Sequence, residues 1–259
     1  MNGTDLSFLD QPWILSLIFY PRRDHQSEPR DPNATNHFIE IEDGVSIGCR
    51  FYLAGKENPT ILYFHGNGET VCDYDYIAPL FNRIGINLFV TDYRGYGLSG
   101  GKPTVTNMVN DSHILFKGFR EILKKSGYNR NFFIMGRSLG SISGIELASS
   151  YPEETRGLII ESGFAGVFKL LSRFNINLSN LKGEERFDEK IKKIDIPAMV
   201  IHAQNDHLIP LFIGKEIYNG LPSKDKRLVV IPGADHNDLM LVGMDLYFKE
   251  IRDFVIGHL

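Results

Sequence analysis

The segment Phe132-Phe133-Ile134-Met135-Gly136-Arg137-Ser138-Leu139-Gly140-Ser141-Ile142-Ser143-Gly144-Ile145-Glu146-Leu147-Ala148 decides how this chain is read. Its first four residues form an unbroken apolar run, which suits a strand buried on both faces of a parallel sheet. A serine flanked by glycines follows, and then a stretch of helical length. Strand, sharp turn and helix around G-x-S-x-G is the context that a nucleophilic serine needs. The glycines let the backbone turn without side-chain clash. The start of the helix brings backbone N–H groups beneath the serine, where they can stabilise an oxyanion.

Outward from this segment the same grammar repeats. Short apolar runs occur at 61–64, 86–91, 158–160, 199–201 and 228–231. Segments of helical length lie between them, at 105–125, 141–150, 212–220 and 239–257. In the last, Met244, Tyr247, Phe248, Ile251, Phe254 and Val255 recur at helical spacing and make one apolar stripe. Upstream, residues 38–42 alternate apolar and polar, Asp43-Gly44 is a hairpin turn signal, and 45–53 continues extended. The pattern predicts one α/β domain, a mostly parallel sheet opened by an antiparallel hairpin, with helices on both faces. Residues 21–36 are rich in charge, Pro and Asn and read as a loop. Residues 1–37 are expected to form an N-terminal extension packing on a domain that spans 38–259.

Composition excludes several classes. With 42% hydrophobic residues in a chain of 259, the sequence can build a large core, so wholesale disorder is excluded. The 28 Lys+Arg are outweighed by 32 Asp+Glu, and no basic footprint marks a nucleic-acid binder. Two cysteines, Cys49 and Cys72, make neither a disulfide framework nor a CxxC metal site, so no cofactor and no metal are expected. The longest apolar run near the start, 13–20, falls well short of the ~20 residues of a membrane span. The first ten residues hold Asp5 and Asp10 and no Lys or Arg, unlike a secretory signal. The sequons at Asn2, Asn33, Asn110 and Asn177 then read as chance, and the expected location is the cytoplasm. Residues 8–20 could touch a membrane or a partner, but packing back on their own domain is the expectation. Oligomeric state is not legible.

G-x-S-x-G occurs three times, at Ser46, Ser99 and Ser138. Ser46 falls inside the second strand of the hairpin, with no helix after it. Ser99 lies in a loop running into Lys102-Pro103. Only Ser138 has a strand before it and a helix after it. A serine hydroxyl needs a base to take its proton and an acid to orient that base. Of eight histidines, His25 and His37 precede the parallel strands, His113 is mid-helix, His202 ends a strand and His258 is penultimate. His236, in Gly233-Ala234-Asp235-His236-Asn237-Asp238, follows the last apolar run and is the expected base. Asp206, in Ile201-His202-Ala203-Gln204-Asn205-Asp206, is the expected acid, with Glu161 as the other candidate. Asp235 and Asp238 sit too close to His236 in the chain to orient it and are expected to point elsewhere or to cap the next helix. His65-Gly66-Asn67-Gly68 follows the run 61–64. It is the loop expected to offer an oxyanion N–H from Asn67, or else Gly68, beside that of Leu139.

Taken together, HGNG at 65–68, DYRGYGLSGG at 92–101, GRSLG at 136–140, HAQND at 202–206 and GADHND at 233–238 resemble the α/β-hydrolase superfamily in content and in order. The likeness runs from about residue 38 onward and is nearest to small serine hydrolases of the α/β-hydrolase-domain type, a group with esterases and depalmitoylating thioesterases. The resemblance implies the α/β-hydrolase fold and acyl transfer to water through an acyl-enzyme on Ser138, with Asp206 and His236 as partners. It also implies that 92–97 is a structural turn. Departures are His202-Ala203 where His-Gly is usual, Ser141 where glycine is common, and no cysteine before Cys49 where depalmitoylating members have a cluster. The span 165–196, where lids are inserted, leaves room for only a minimal cap. The expected substrate is a small-molecule acyl ester or thioester. A serine aminopeptidase and a non-catalytic ligand-binding relative are the competing readings.

Overall fold

Asp43-Gly44 turns the chain between β1 (Ala34–Glu42) and β2 (Val45–Tyr52), with Gly44 at φ 75°, a region open to glycine at little cost. The hairpin is antiparallel, from Ala34 opposite Tyr52 to Glu42 opposite Val45. β1 therefore starts at Ala34, inside the stretch 21–36 that reads as a loop. Pairing with Arg50 to Tyr52 holds polar residues such as Thr35 and Asn36 in extended form, which local composition does not reveal.

This computed structural model describes residues 6–24, 28–164, 166 and 189–259. The chain divides into two compact units, Met1–Phe132 and Phe133–Leu259. The first carries β1, β2, β3 (Thr60–Phe64) and β4 (Asn87–Thr91), in the order β1-β2-β4-β3. β2 pairs antiparallel with β4, and β3 runs parallel to it. Every residue of β3 and β4 is buried, as their unbroken apolar runs require.

The N-terminal segment belongs to this unit. Its short helix α1 (Pro12–Ile18) buries Ile14 and Ile18, while Trp13 is exposed. Asp10 Oδ1 accepts the N–H groups of Val105 and Thr106 at the start of α3 (Val105–Ser126). The short helix α2 (Ala78–Arg83) lies between β3 and β4 in the chain. Thr104 caps α3 by accepting from Asn107 N, and Gly127 at φ 68° closes its other end. Among the described residues no helix is long and apolar enough to cross a membrane.

The second unit carries β5 (Phe132–Arg137), β6 (Leu158–Glu161), β7 (Ala198–Ala203) and β8 (Lys226–Ile231), all parallel and in sequence order. α4 (Ser141–Ser150) follows β5, and α5 (Leu211–Gly220) joins β7 to β8. The stretch 239–257, one helix by periodicity, is divided into α6 (Leu239–Val242) and α7 (Met244–Gly257). Gly243 sits at the break, where a Cβ would collide with Ile231 of β8. The apolar stripe of α7 is buried at Tyr247, Phe248, Ile251, Phe254 and Val255. The expected α/β class, a mostly parallel sheet opened by an antiparallel hairpin, is what these strands form. The cap expected at 165–196 lies outside the described residues except for 166 and 189–196.

Candidate active site

The site begins where β5 stops. Ser138 has φ 48°, a left-handed conformation that costs a non-glycine residue roughly 1–3 kcal/mol and persists only where its surroundings impose it. Here the constraint is β5, wholly buried on one side, and α4, buried from Ser141 to Ala148 on the other. Gly136 approaches the turn so closely that a Cβ would strike the Gly140 carbonyl and lie 2.7 Å from Ser141 Cα. The first glycine of the motif is thus required by space. Ser141 Oγ donates to the Ser138 carbonyl at 2.6 Å and accepts from Phe164 N at 3.1 Å, bracing the turn from the far side. Leu139 is the second residue of a tight 3-10 turn (Ser138–Gly140), and N–H groups of a first helical turn have no intrahelical partner.

The histidine arrives from the loop after β8 and the carboxylate from the loop after β7. His236 Nε2 lies 3.0 Å from Ser138 Oγ, and His236 Nδ1 lies 2.8 Å from Asp206 Oδ2. Asp206 is an acceptor when ionised, so Nδ1 is the donor to it and Nε2 is left with a lone pair for the Ser138 hydroxyl. Asp206 Oδ1 accepts from Leu208 N and Ile209 N at 3.0 and 2.6 Å, which holds the carboxylate in place. Burial acts to raise the Asp206 pKa. The hydrogen bond and charge of His236 and the Ile209 N–H outweigh it, and the carboxyl lies below its ordinary value. His236 and Asp206 are 4% and 6% exposed, so the relay is shielded from water. A chain of hydroxyl, imidazole and carboxylate in this order can move a proton off the serine as its oxygen attacks a carbonyl.

The other candidates fall elsewhere. Glu161 accepts from Arg137 Nε at 3.1 Å and from Tyr247 Oη at 2.7 Å. Asp235 accepts from the backbone N–H groups of His207 and His236, and those bonds, first of all, hold its pKa down at about 2. Asp238 accepts from Asp235 N. His202 bonds the Ile209 carbonyl through Nε2, and burial lowers its pKa. Ser99 Oγ accepts from Gly48 N at 2.9 Å and is fully buried, while Ser46 lies within β2.

Asn67, expected to offer an oxyanion N–H, follows β3. Both ends of its side-chain amide are engaged: Nδ2 donates to the Ile18 carbonyl, and Oδ1 accepts from Tyr20 N and Tyr96 Oη. Its own backbone N–H has no hydrogen-bond partner among the described residues.

Sequence reasoning did not foresee a second buried carboxylate–imidazole pair. His65 Nε2 lies 3.1 Å from Asp92 Oδ1 and His65 Nδ1 2.7 Å from the Gly66 carbonyl, with both side chains wholly buried. Its trace in the sequence is the two turn motifs that hold it, HGNG and DYRGYG. Among the described residues no group of three or more His, Cys, Asp or Glu is arranged to hold a metal ion.

Comparison with known proteins places these features in context. A family model described as serine aminopeptidase, S33, matches residues 55–174. The α/β hydrolase domain-containing protein 17C of Mus musculus is 30% identical over 254 residues, covering 94% of this chain and 75% of that protein. The human α/β hydrolase domain-containing protein 17B is 30% identical over 252 residues, with 94% and 82% covered. The esterase Pf2001 of Pyrococcus furiosus matches with a TM-score of 0.76 at 17% identity over 93% of this chain and 98% of that one. A soluble variant of monoglyceride lipase from Saccharomyces cerevisiae matches with a TM-score of 0.67 at 18% identity over 89% and 97%.

Proposed function

Because the chain belongs to the α/β-hydrolase superfamily, we propose that it is a serine hydrolase that cleaves carboxylic esters or thioesters through an acyl-enzyme on Ser138. The observation that carries this reading is the unbroken line Ser138 Oγ, His236 Nε2, His236 Nδ1, Asp206 Oδ2, with links of 3.0 and 2.8 Å. It stands on a serine held at φ 48°.

Ser138 Oγ attacks the acyl carbonyl carbon, its proton passes to His236 Nε2, and the carbonyl π pair becomes an oxyanion. The backbone N–H of Leu139, at the start of the turn after Ser138, receives that charge. Collapse of the tetrahedral adduct breaks the bond to the leaving alkoxide or thiolate, which takes the proton from His236. Water then attacks the acyl-serine, gives its proton to His236, and the second collapse returns that proton to Ser138 as the acid departs. Asp206 stays ionised throughout and holds the ring.

A fluorophosphonate probe tests the assignment. The wild-type protein and the Ser46→Ala and Ser99→Ala variants take up the label, and Ser138→Ala does not. Labelling that survives Ser138→Ala overturns the proposal. A panel of p-nitrophenyl esters and acyl thioesters graded by acyl length then gives the substrate class.

The description of the matching family model favours one further reading, a serine aminopeptidase. The same triad would attack an amide, with His236 protonating the departing amine. Aminoacyl p-nitroanilides hydrolysed with a higher kcat/KM than p-nitrophenyl esters would select it.

A further inference from the structure

The loop bearing His236 is tied in two directions. Toward the loop bearing Asp206 the ties are many: Asn205 N to the Ala234 carbonyl at 2.8 Å, Gly233 N to Gln204 Oε1 at 2.8 Å, and His207 N to Asp235 Oδ1 at 3.0 Å. These set the spacing between His236 and Asp206. Toward the serine turn, beside the Ser138–His236 bond itself, the tie runs through Arg137. Arg137 Nη2 donates to the His236 carbonyl at 3.0 Å. Arg137 immediately precedes the serine, so this bond couples the histidine backbone to the residue next to the nucleophile.

Arg137 is itself held from behind. In the parallel pairing of β5 with β6 it stands opposite Glu161. Its Nε donates to Glu161 Oε1 at 3.1 Å, and Tyr247 Oη of α7 donates to Glu161 Oε2 at 2.7 Å. Glu161 and Tyr247 are wholly buried and Arg137 is 7% exposed. A guanidinium is planar and donates in fixed directions, so one Arg can grip a carboxylate with one edge and a carbonyl with another. A lysine, a single point of charge, cannot hold both in the same way.

We propose that Arg137, aimed by Glu161 and Tyr247, is a positioning residue that sets the distance from His236 Nε2 to Ser138 Oγ. It does not touch substrate. The inference rests on the catalytic reading of Ser138, His236 and Asp206. Misplacing a reacting group by about 1 Å costs on the order of 100-fold in rate, so Arg137→Met lowers kcat for a p-nitrophenyl ester by about that factor, with KM little changed. The second-order rate of fluorophosphonate labelling falls in parallel, because acylation needs the same proton transfer. Arg137→Lys recovers part of the loss. Glu161→Gln and Tyr247→Phe give smaller losses that are not additive with Arg137→Met, since they act through it.

Should Arg137→Met fail to fold, Arg137→Lys and Tyr247→Phe carry the same comparison at near-native melting temperature. A folded Arg137→Met with kcat and labelling rate within twofold of wild type overturns the proposal, as does a loss seen wholly in KM. Absence of Ser138-dependent labelling in the wild-type protein instead overturns the catalytic reading, and the positioning role with it.

Discussion

The two units each hold a buried aspartate–histidine pair, and the pairs differ in what the other ring nitrogen meets. In the second unit, His236 gives Nδ1 to Asp206 and turns Nε2 to a serine hydroxyl. In the first, His65 faces Asp92 with Nε2 and the Gly66 carbonyl with Nδ1. A carbonyl can only accept, so His65 donates from both nitrogens and has no lone pair for a nucleophile. Burial opposes the charge on His65. The hydrogen bond and charge of Asp92, with Glu69 and the Gly66 carbonyl, outweigh it and raise its pKa. Of the two serines of the same unit that share the G-x-S-x-G pattern, Ser46 lies within β2 and Ser99 accepts from Gly48 N. A buried Asp–His pair is therefore not a triad in waiting. It becomes one only when the imidazole keeps a free lone pair and a strained turn delivers a hydroxyl to it.

Neutralising the two carboxylates separates the roles most strongly. Asp206→Asn lowers kcat by about 10⁴-fold, the loss expected when the acid that orients a triad histidine is neutralised, with only the smaller fall in melting temperature that loss of its ionised form brings. Asp92→Asn does the reverse. It leaves the buried His65 without its counter-charge, at about 3–5 kcal/mol, and lowers the melting temperature by on the order of 10 °C. kcat per folded molecule is retained. Steady-state kinetics alongside calorimetry reads both, and a rate loss in Asp92→Asn matching that of Asp206→Asn would break the distinction.

The serines give a smaller contrast. Ser99→Ala strips the buried Gly48 N–H of its acceptor and destabilises by about 1–3 kcal/mol in denaturant titration, with esterase rate unchanged. An altered rate would mean that Ser99 serves the chemistry.

The smallest effect is in pH. The His65 pKa is raised, so the stability it contributes is fully present below its ordinary value of 6.5 and is lost as pH rises through the higher folded value. The Asp206 pKa is lowered, so its contribution is present above 3.8 and is lost as pH falls through the lower folded value. Melting temperature recorded across pH should lose its alkaline decline in His65→Gln and part of its acid decline in Asp206→Asn. A His65→Gln curve parallel to wild type at high pH would show that His65 is not charged in the fold.

Legibility followed sequence distance. The turn around Ser138 could be read because strand, glycine-flanked serine and helix lie within one short segment. Asp206 and His236 were legible as loop residues after β7 and β8, since ligands of parallel sheets gather at the C-terminal strand ends. The partner of Arg137 was not, because it depends on the β5/β6 register that sets Arg137 against Glu161. The start of β1 at Ala34 and the break at Gly243 escaped for the same reason. Each depends on a contact with a distant strand, Tyr52 in one case and Ile231 in the other.

By itself, then, the sequence determined the α/β class and singled out Ser138 from three matching motifs, since backbone conformation at a tight turn is a local property of glycines and neighbours. Only the tertiary structure decided which carboxylate meets which imidazole and what the second ring nitrogen faces. The contacts of His65 with Asp92, His236 with Asp206 and His236 with Ser138 join residues 27, 30 and 98 positions apart. No periodicity encodes them, and they exist only once the strands have taken their register.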